Sequence, residues 1–120
     1  MSQVFINDKG WVEVIWGKRI DAETYLETAG KMLKFITQIE DQDQAPLMLI
    51  DFSQLEEITP EAAQLATNAT RDLGCKKIAG FGIKPQFKAV LDTIKHLSTK
   101  EDTIGEFATR QEAEEWLSKP

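Results

Sequence analysis

The chain has 120 residues, enough for one domain with a proper core and too few for two. Hydrophobic residues make up 42% and charged residues 28%, an ordinary globular composition that excludes a disordered chain. The formal net charge of −6, with scattered lysines and no basic patch, argues against nucleic acid and anionic lipid as partners, and no apolar stretch reaches the roughly 20 residues that span a bilayer.

The first segment, MSQVFINDKG, has no basic region followed by a long apolar run, so no secretory signal is expected. Gln3–Ile6 and Trp11–Trp16 read as two strands, and Asn7-Asp8-Lys9-Gly10 between them is a turn signal that makes a β-hairpin. Alternation predicts that Trp11, Glu13 and Ile15 face one side and that Val12, Val14 and Trp16 face the other. Gly17-Lys18-Arg19-Ile20 leaves the sheet. Asp21 caps a helix running to about Glu40, with Ala22, Leu26, Ala29, Leu33 and Ile36 on its core face and Met32, Phe35 and Ile39 widening it. Asp41-Gln42-Asp43-Gln44 is a polar loop.

The next stretch, PLMLIDFSQLEEITPEAAQLATNATRDL, organises the chain. Leu47–Ile50 is a short continuous apolar run, the pattern of a strand covered on both faces in a parallel sheet. Pro46 leads it where a missing N–H is tolerated, and Asp51 falls at its carboxyl end, where α/β sheets gather their ligands. Thr59 is a good N-cap, Pro60 suits the first helical position, and Glu61 complements the helix dipole. Ala62, Leu65, Ala66, Ala69 and Leu73 form one apolar stripe, and Gly74 is expected as the C-cap.

The same step then repeats. Lys77–Ile83 is a strand in which Gly80 and Gly82 allow close backbone approach, and Pro85 opens a helix with Phe87, Val90, Leu91, Ile94 and Leu97 on its face. Residues 98–102 form a loop and Thr103–Ala108 a last strand at a sheet edge. Thr109 caps a final helix with Ala113, Trp116 and Leu117 inward. The fold class is therefore α/β, in the order ββαβαβαβα. It is a mostly parallel sheet with an N-terminal β-hairpin, helices packed on it and right-handed crossovers, in one domain over residues 1–120 without a linker.

Three local patterns carry a resemblance: VEVIWGKRIDAETY, LMLIDFSQLEEITPEAAQL and the closing FATRQEAEEWL. In order and spacing they resemble the STAS superfamily, the fold of the bacterial anti-sigma-factor antagonists, and the last is similar to its STAS/SEC14-like branch. The resemblance covers nearly the whole chain. It implies a central strand, an aspartate, a turn and a switch helix, and a contact face on the turn and helix start: Asp51, Ser53, Glu56, Glu57, Thr59, Glu61 and Gln64. Classical antagonists carry Asp-Ser-Ser-Gly there, with a serine phosphorylated by a partner kinase. This chain has Thr59-Pro60-Glu61-Ala62 instead, and the serine's place falls near Pro60 or Glu61.

Each candidate side chain also has a plain reading. Thr59 as a phosphoacceptor would gain from a helix N-terminus, but Glu56, Glu57 and Glu61 surround it and oppose a dianion, and cap preference favours a simple N-cap. Between these stands a third reading, in which Glu61 supplies a fixed negative charge where relatives add phosphate. Asp51 lacks the acidic pair and lysine of a receiver-type phosphoacceptor, so a turn-capping role is expected. His96 is the only histidine and Cys75 the only cysteine, so no metal site, nucleophile–base pair or intramolecular disulfide is expected, no cofactor is called for, and a reducing, cytoplasmic location is the simplest reading. Gly80-Phe81-Gly82 without the rest of a fingerprint fits close packing better than a phosphate cradle. Trp11, Trp16 and Trp116 are expected in the core rather than around a pocket.

The expected function is a non-enzymatic cytoplasmic regulatory module acting by protein–protein contact, with a partner that presents a basic patch to this acidic face. The alternative is a binding protein for a small apolar or lipid-like molecule in a cavity bounded by residues such as Phe35, Phe87 and Trp116. The hairpin edge or the last strand offers an edge through which two chains can pair as a homodimer.

Overall fold

The structure is a computed structural model that describes residues 2–72, 74–97 and 103–119. Asn7 builds the first turn. Its side-chain oxygen accepts the backbone N–H groups of Lys9 and Trp11, both at 3.0 Å, while Gly10 takes a φ of +79° that a side chain would resist. The turn joins β1 (Gln3–Ile6) and β2 (Val12–Ile15) as an antiparallel hairpin with Val4 opposite Val14. β4 (Leu47–Asp51), β6 (Lys77–Phe81) and β7 (Ile104–Phe107) then join in parallel, giving the sheet order β1-β2-β4-β6-β7. The α/β architecture, the hairpin and the mostly parallel sheet read from the sequence are all present.

Among the described residues, four helices cover the sheet. α1 (Ala22–Glu40), α2 (Pro60–Asp72) and α3 (Pro85–Leu97) share one core with Val12, Val14, Trp16, Met48 and Ile78. α4 (Arg110–Ser118) packs Ala113 and Leu117 on the other face, with Trp11, Leu49, Ala79 and Phe81. The period-2 alternation of β2 and β4 thus sends Val12, Val14 and Met48 one way and Trp11 and Leu49 the other. The caps lie where side-chain chemistry predicts them: Asp21 accepts the Thr24 N–H at 2.8 Å, and Thr109 accepts the Glu112 N–H at 3.2 Å.

Several expectations are corrected. On α1 the buried side chains are Tyr25, Thr28, Met32, Ile36 and Ile39, whereas Leu26 and Leu33 are 58% and 50% exposed. The helix is rolled about one residue from the expected face. Thr28 can occupy the core because its hydroxyl donates to the Thr24 carbonyl at 2.8 Å and lies 2.6 Å from the Ser2 hydroxyl. On α3, Phe87 and Ile94 are buried but Leu97 is exposed. β6 stops at Phe81 because Gly82 turns to a φ of +72°. Gly17–Ile20 does not simply leave the sheet: Arg19–Ile20 is a short β3 that pairs in parallel with β5 (Glu57–Ile58). Leu73 and the 98–102 loop lie outside the described residues.

Candidate functional site

The carboxyl end of β4 leads into a turn that is tied down along its length. The Phe52 N–H donates to the Phe81 carbonyl at 3.0 Å, and the Trp16 N–H donates to the Asp51 carbonyl at 3.1 Å. Asp51 Oδ1 accepts the Ser53 N–H at 2.8 Å, the turn-capping role expected for it. Leu55, only 1% exposed, anchors the middle of the turn in the core. Glu56 and Glu57 both donate their N–H groups to the Lys18 carbonyl, at 2.7 and 2.9 Å, and the Thr59 N–H donates to Ile20 at 3.0 Å. The β3–β5 pairing therefore presents the acidic turn on a fixed backbone rather than a loose loop.

α2 begins immediately after. Thr59 Oγ1 accepts the Ala62 N–H at 3.2 Å, an N-cap, and the residue is half-buried. Ser53, Glu56, Glu57, Glu61 and Gln64 are exposed around it, while Asp51 is half-buried. Five of the seven residues expected on the contact face are thus exposed, and Asp51 and Thr59 are partly covered. Arg19 offsets part of the charge, with its Nε 3.4 Å from Glu57 Oε1 and its NH1 3.4 Å from Asp21 Oδ2. Helix capping pulls the Asp21 carboxyl below its usual range: the backbone and side chain of Thr24 contribute first, against slight burial, with Arg19 adding to the effect.

The remaining candidates fall elsewhere. His96 is exposed on α3 and Cys75 is buried beside β6. Among the described residues, no group of three His, Cys, Asp or Glu side chains is placed to hold a metal ion. The glycines of Gly80-Phe81-Gly82 accept the turn rather than a phosphate. A Cβ on Gly80 would lie 2.8 Å from Phe52, and one on Gly82 would lie 3.0 Å from Ser53 Cβ. The tryptophans divide between the two faces of the sheet, Trp16 on one and Trp11 and Trp116 on the other. Trp16, expected in the core rather than around a pocket, is buried but also lines an apolar cavity.

Two features escape sequence reasoning. The first is Glu13, 3% exposed in the middle of β2. Arg110, at the start of α4, donates to both of its carboxylate oxygens, at 2.9 and 2.6 Å, and Asn7 donates to it at 3.0 Å. Burial pushes the Glu13 carboxyl up, but the hydrogen bonds from Arg110 and Asn7 and the guanidinium charge outweigh it, and the net shift is downward. The available signal was a glutamate inside an apolar strand, which needs a partner once both faces are covered.

The second is an apolar cavity of about 100 Å³ between the sheet and α1–α3. It is not bounded by Phe35, Phe87 or Trp116. Met48, Ile78, Gly80 and Ile104 lie on its sheet side, and Ala66 and Leu91 on its helix side. Its origin lies in the packing of α2, which sits on α1 and α3 rather than closely on the strands and turns the small Ala66 toward this space. Protein interiors rarely keep voids larger than a water.

The sequence matches no family model and no curated protein. Solved structures do match. An uncharacterized protein of the DUF3478 family with a SpoIIAA-like fold, from Shewanella loihica PV-4, is similar at a TM-score of 0.71 and 15% identity, over 97% of this chain and 93% of that one. The anti-sigma factor antagonist SpoIIAA in its unphosphorylated form is similar at 0.64 and 14%, over 97% and 96%. The Bacillus cell fate determinant SpoIIAA in its phosphorylated form is similar at 0.62 and 15%, over 97% and 98%. Across nearly its whole length, the chain has the STAS-like α/β fold of these SpoIIAA-like proteins.

Proposed function

We propose that this chain is a non-enzymatic, cytoplasmic regulatory module that works by protein–protein contact through the turn and the start of α2. The observation that carries the reading is the exposed acidic set Glu56, Glu57 and Glu61, held on a backbone fixed by β3–β5 pairing. The SpoIIAA structures it resembles are those of an anti-sigma factor antagonist and cell fate determinant, in unphosphorylated and phosphorylated forms. By the resemblance read from the sequence, the serine that is phosphorylated in classical antagonists falls near Pro60 or Glu61 in this chain. Glu61 then provides permanently the negative charge that a phosphate would add, and the Thr59 hydroxyl serves as a cap. A surface of this charge fits a partner with a basic patch, whose approach it speeds and orients. The test is charge reversal, Glu57→Lys with Glu61→Lys, in a pull-down from the native host. At least one partner held by the parent protein should be lost, and the loss should not follow from reversing Glu115 on α4. An unchanged set of partners would sink the reading.

A further inference from the structure

The apolar cavity beneath α2 reaches the underside of the acidic turn through Ile20, Phe52 and Ile58, but the protein-contact reading makes no use of it. Its lining is aliphatic, aromatic and thioether apart from the polar groups of Trp16, Tyr25, Lys95 and Glu106. Tyr25 stacks on Trp16 with ring centroids 5.9 Å apart, and burial pushes its hydroxyl up to about 12, so it is a neutral phenol at physiological pH. Glu106 on β7 faces α3, where Asp92 is in hydrogen-bond contact and Lys95 and Lys88 act on it electrostatically. Of these groups only Lys95 and Glu106 line the cavity itself, one of each sign, while Lys88 and Asp92 are exposed on α3. Neither an ammonium nor a carboxylate gains there, because each would meet a like charge beside the opposite one.

Size narrows the ligand further. A cavity of about 150 Å³ lined by apolar side chains stays dry and binds benzene or xenon. At about 100 Å³, this one accepts a body of roughly one ring and is far too small for a lipid acyl chain. We propose that the cavity between the sheet and α1–α3 is a binding site for a small, neutral, apolar molecule of about single-ring size, held by Met48, Ile78, Ile104, Ala66 and Leu91. Such a ligand restores the dispersion contacts that the small Ala66 side chain leaves unmade. The proposal does not depend on the acidic face and fails or stands separately from it.

The probe is benzene, titrated into the full chain while the side-chain methyl resonances are followed by NMR. Saturable shifts are expected at Met48, Ile78, Ile104 and Leu91, with Leu49 and Leu117 on the opposite face unmoved. Ala66→Leu should fill the space and weaken benzene at least tenfold. Leu91→Phe does the same from α3 if the first variant fails to fold. Benzylammonium and benzoate should each bind at least tenfold more weakly than benzene. The proposal is overturned if benzene at its solubility limit moves none of these methyls. It is equally overturned if both sheet faces shift alike, or if a charged analogue binds as tightly as the neutral ring.

Discussion

The two faces of the sheet solve the same problem in opposite ways. Among the described residues, α4 is the one helix on one face, packed tightly with Ala113 and Leu117 buried, and it is pinned by the Glu13–Arg110 pair across 97 positions of sequence. The other face carries three helices, yet α2 packs mainly on its helical neighbours and leaves a void above β6 and β7. The number of covering helices does not decide how well a face is filled. Side-chain size at the contact does, and so does whether one specific bond draws the helix down.

The largest expected effect breaks the pinned face. Arg110→Met removes the partner of a buried carboxylate and should destabilise by about 3 kcal/mol in chemical denaturation, the low end for a broken buried pair because the arginine is partly exposed. The double variant Glu13→Leu with Arg110→Met should recover most of the loss, since an apolar pair replaces the ionic one. A double variant no better than the single would mean that Glu13 is not the charge that matters.

Filling each face with the same leucine sharpens the contrast. Ala113→Leu inserts volume where there is none to spare and should cost about 1–3 kcal/mol. Ala66→Leu points the same side chain at the void and should be neutral or stabilising. Equal losses from the two would erase the difference between the faces.

The smallest effect is in pH dependence, and its sign differs between the faces. Glu13 titrates below its usual range, so its contribution is present above pH of about 4.3 and is lost as pH falls through the lowered value. Glu106 is pushed up, first by burial and then by Asp92, so its contribution runs the other way: present at low pH and lost as pH rises past about 4.3. Glu106→Gln should therefore raise the denaturation midpoint at pH 7 and leave it nearly unchanged at pH 3. Glu13→Gln should lower the midpoint at pH 7 by more than at pH 3.

How much of this was legible follows from the range of each interaction. Caps such as Asp21, Thr59 and Thr109 depend on residues three positions away, and the central strand is a continuous apolar run, so these were readable. The α1 face was misread because Leu26 and Leu33 make as regular a stripe as Tyr25, Met32, Ile36 and Ile39, and only tertiary packing chooses between stripes one residue apart. β3 and β5 are two residues each, too short for any period to register. The Glu13–Arg110 pair joins the two ends of the chain, so a glutamate inside an apolar strand announced a partner without saying which. The cavity follows from how α2 packs on its neighbouring helices, which no local pattern records. Of the candidate site, the acidic residues were plain in the sequence, but the β3 backbone that holds them was not.

The central functional claim is that charge at the start of α2 is encoded rather than added. Native mass spectrometry of the protein isolated from its own host tests it most directly. The account predicts a chain carrying no phosphate, in complex with a protein partner that dissociates as salt is raised. A mass heavier by one phosphate, mapped to Thr59 or Ser53, would contradict it and make the surface a switch.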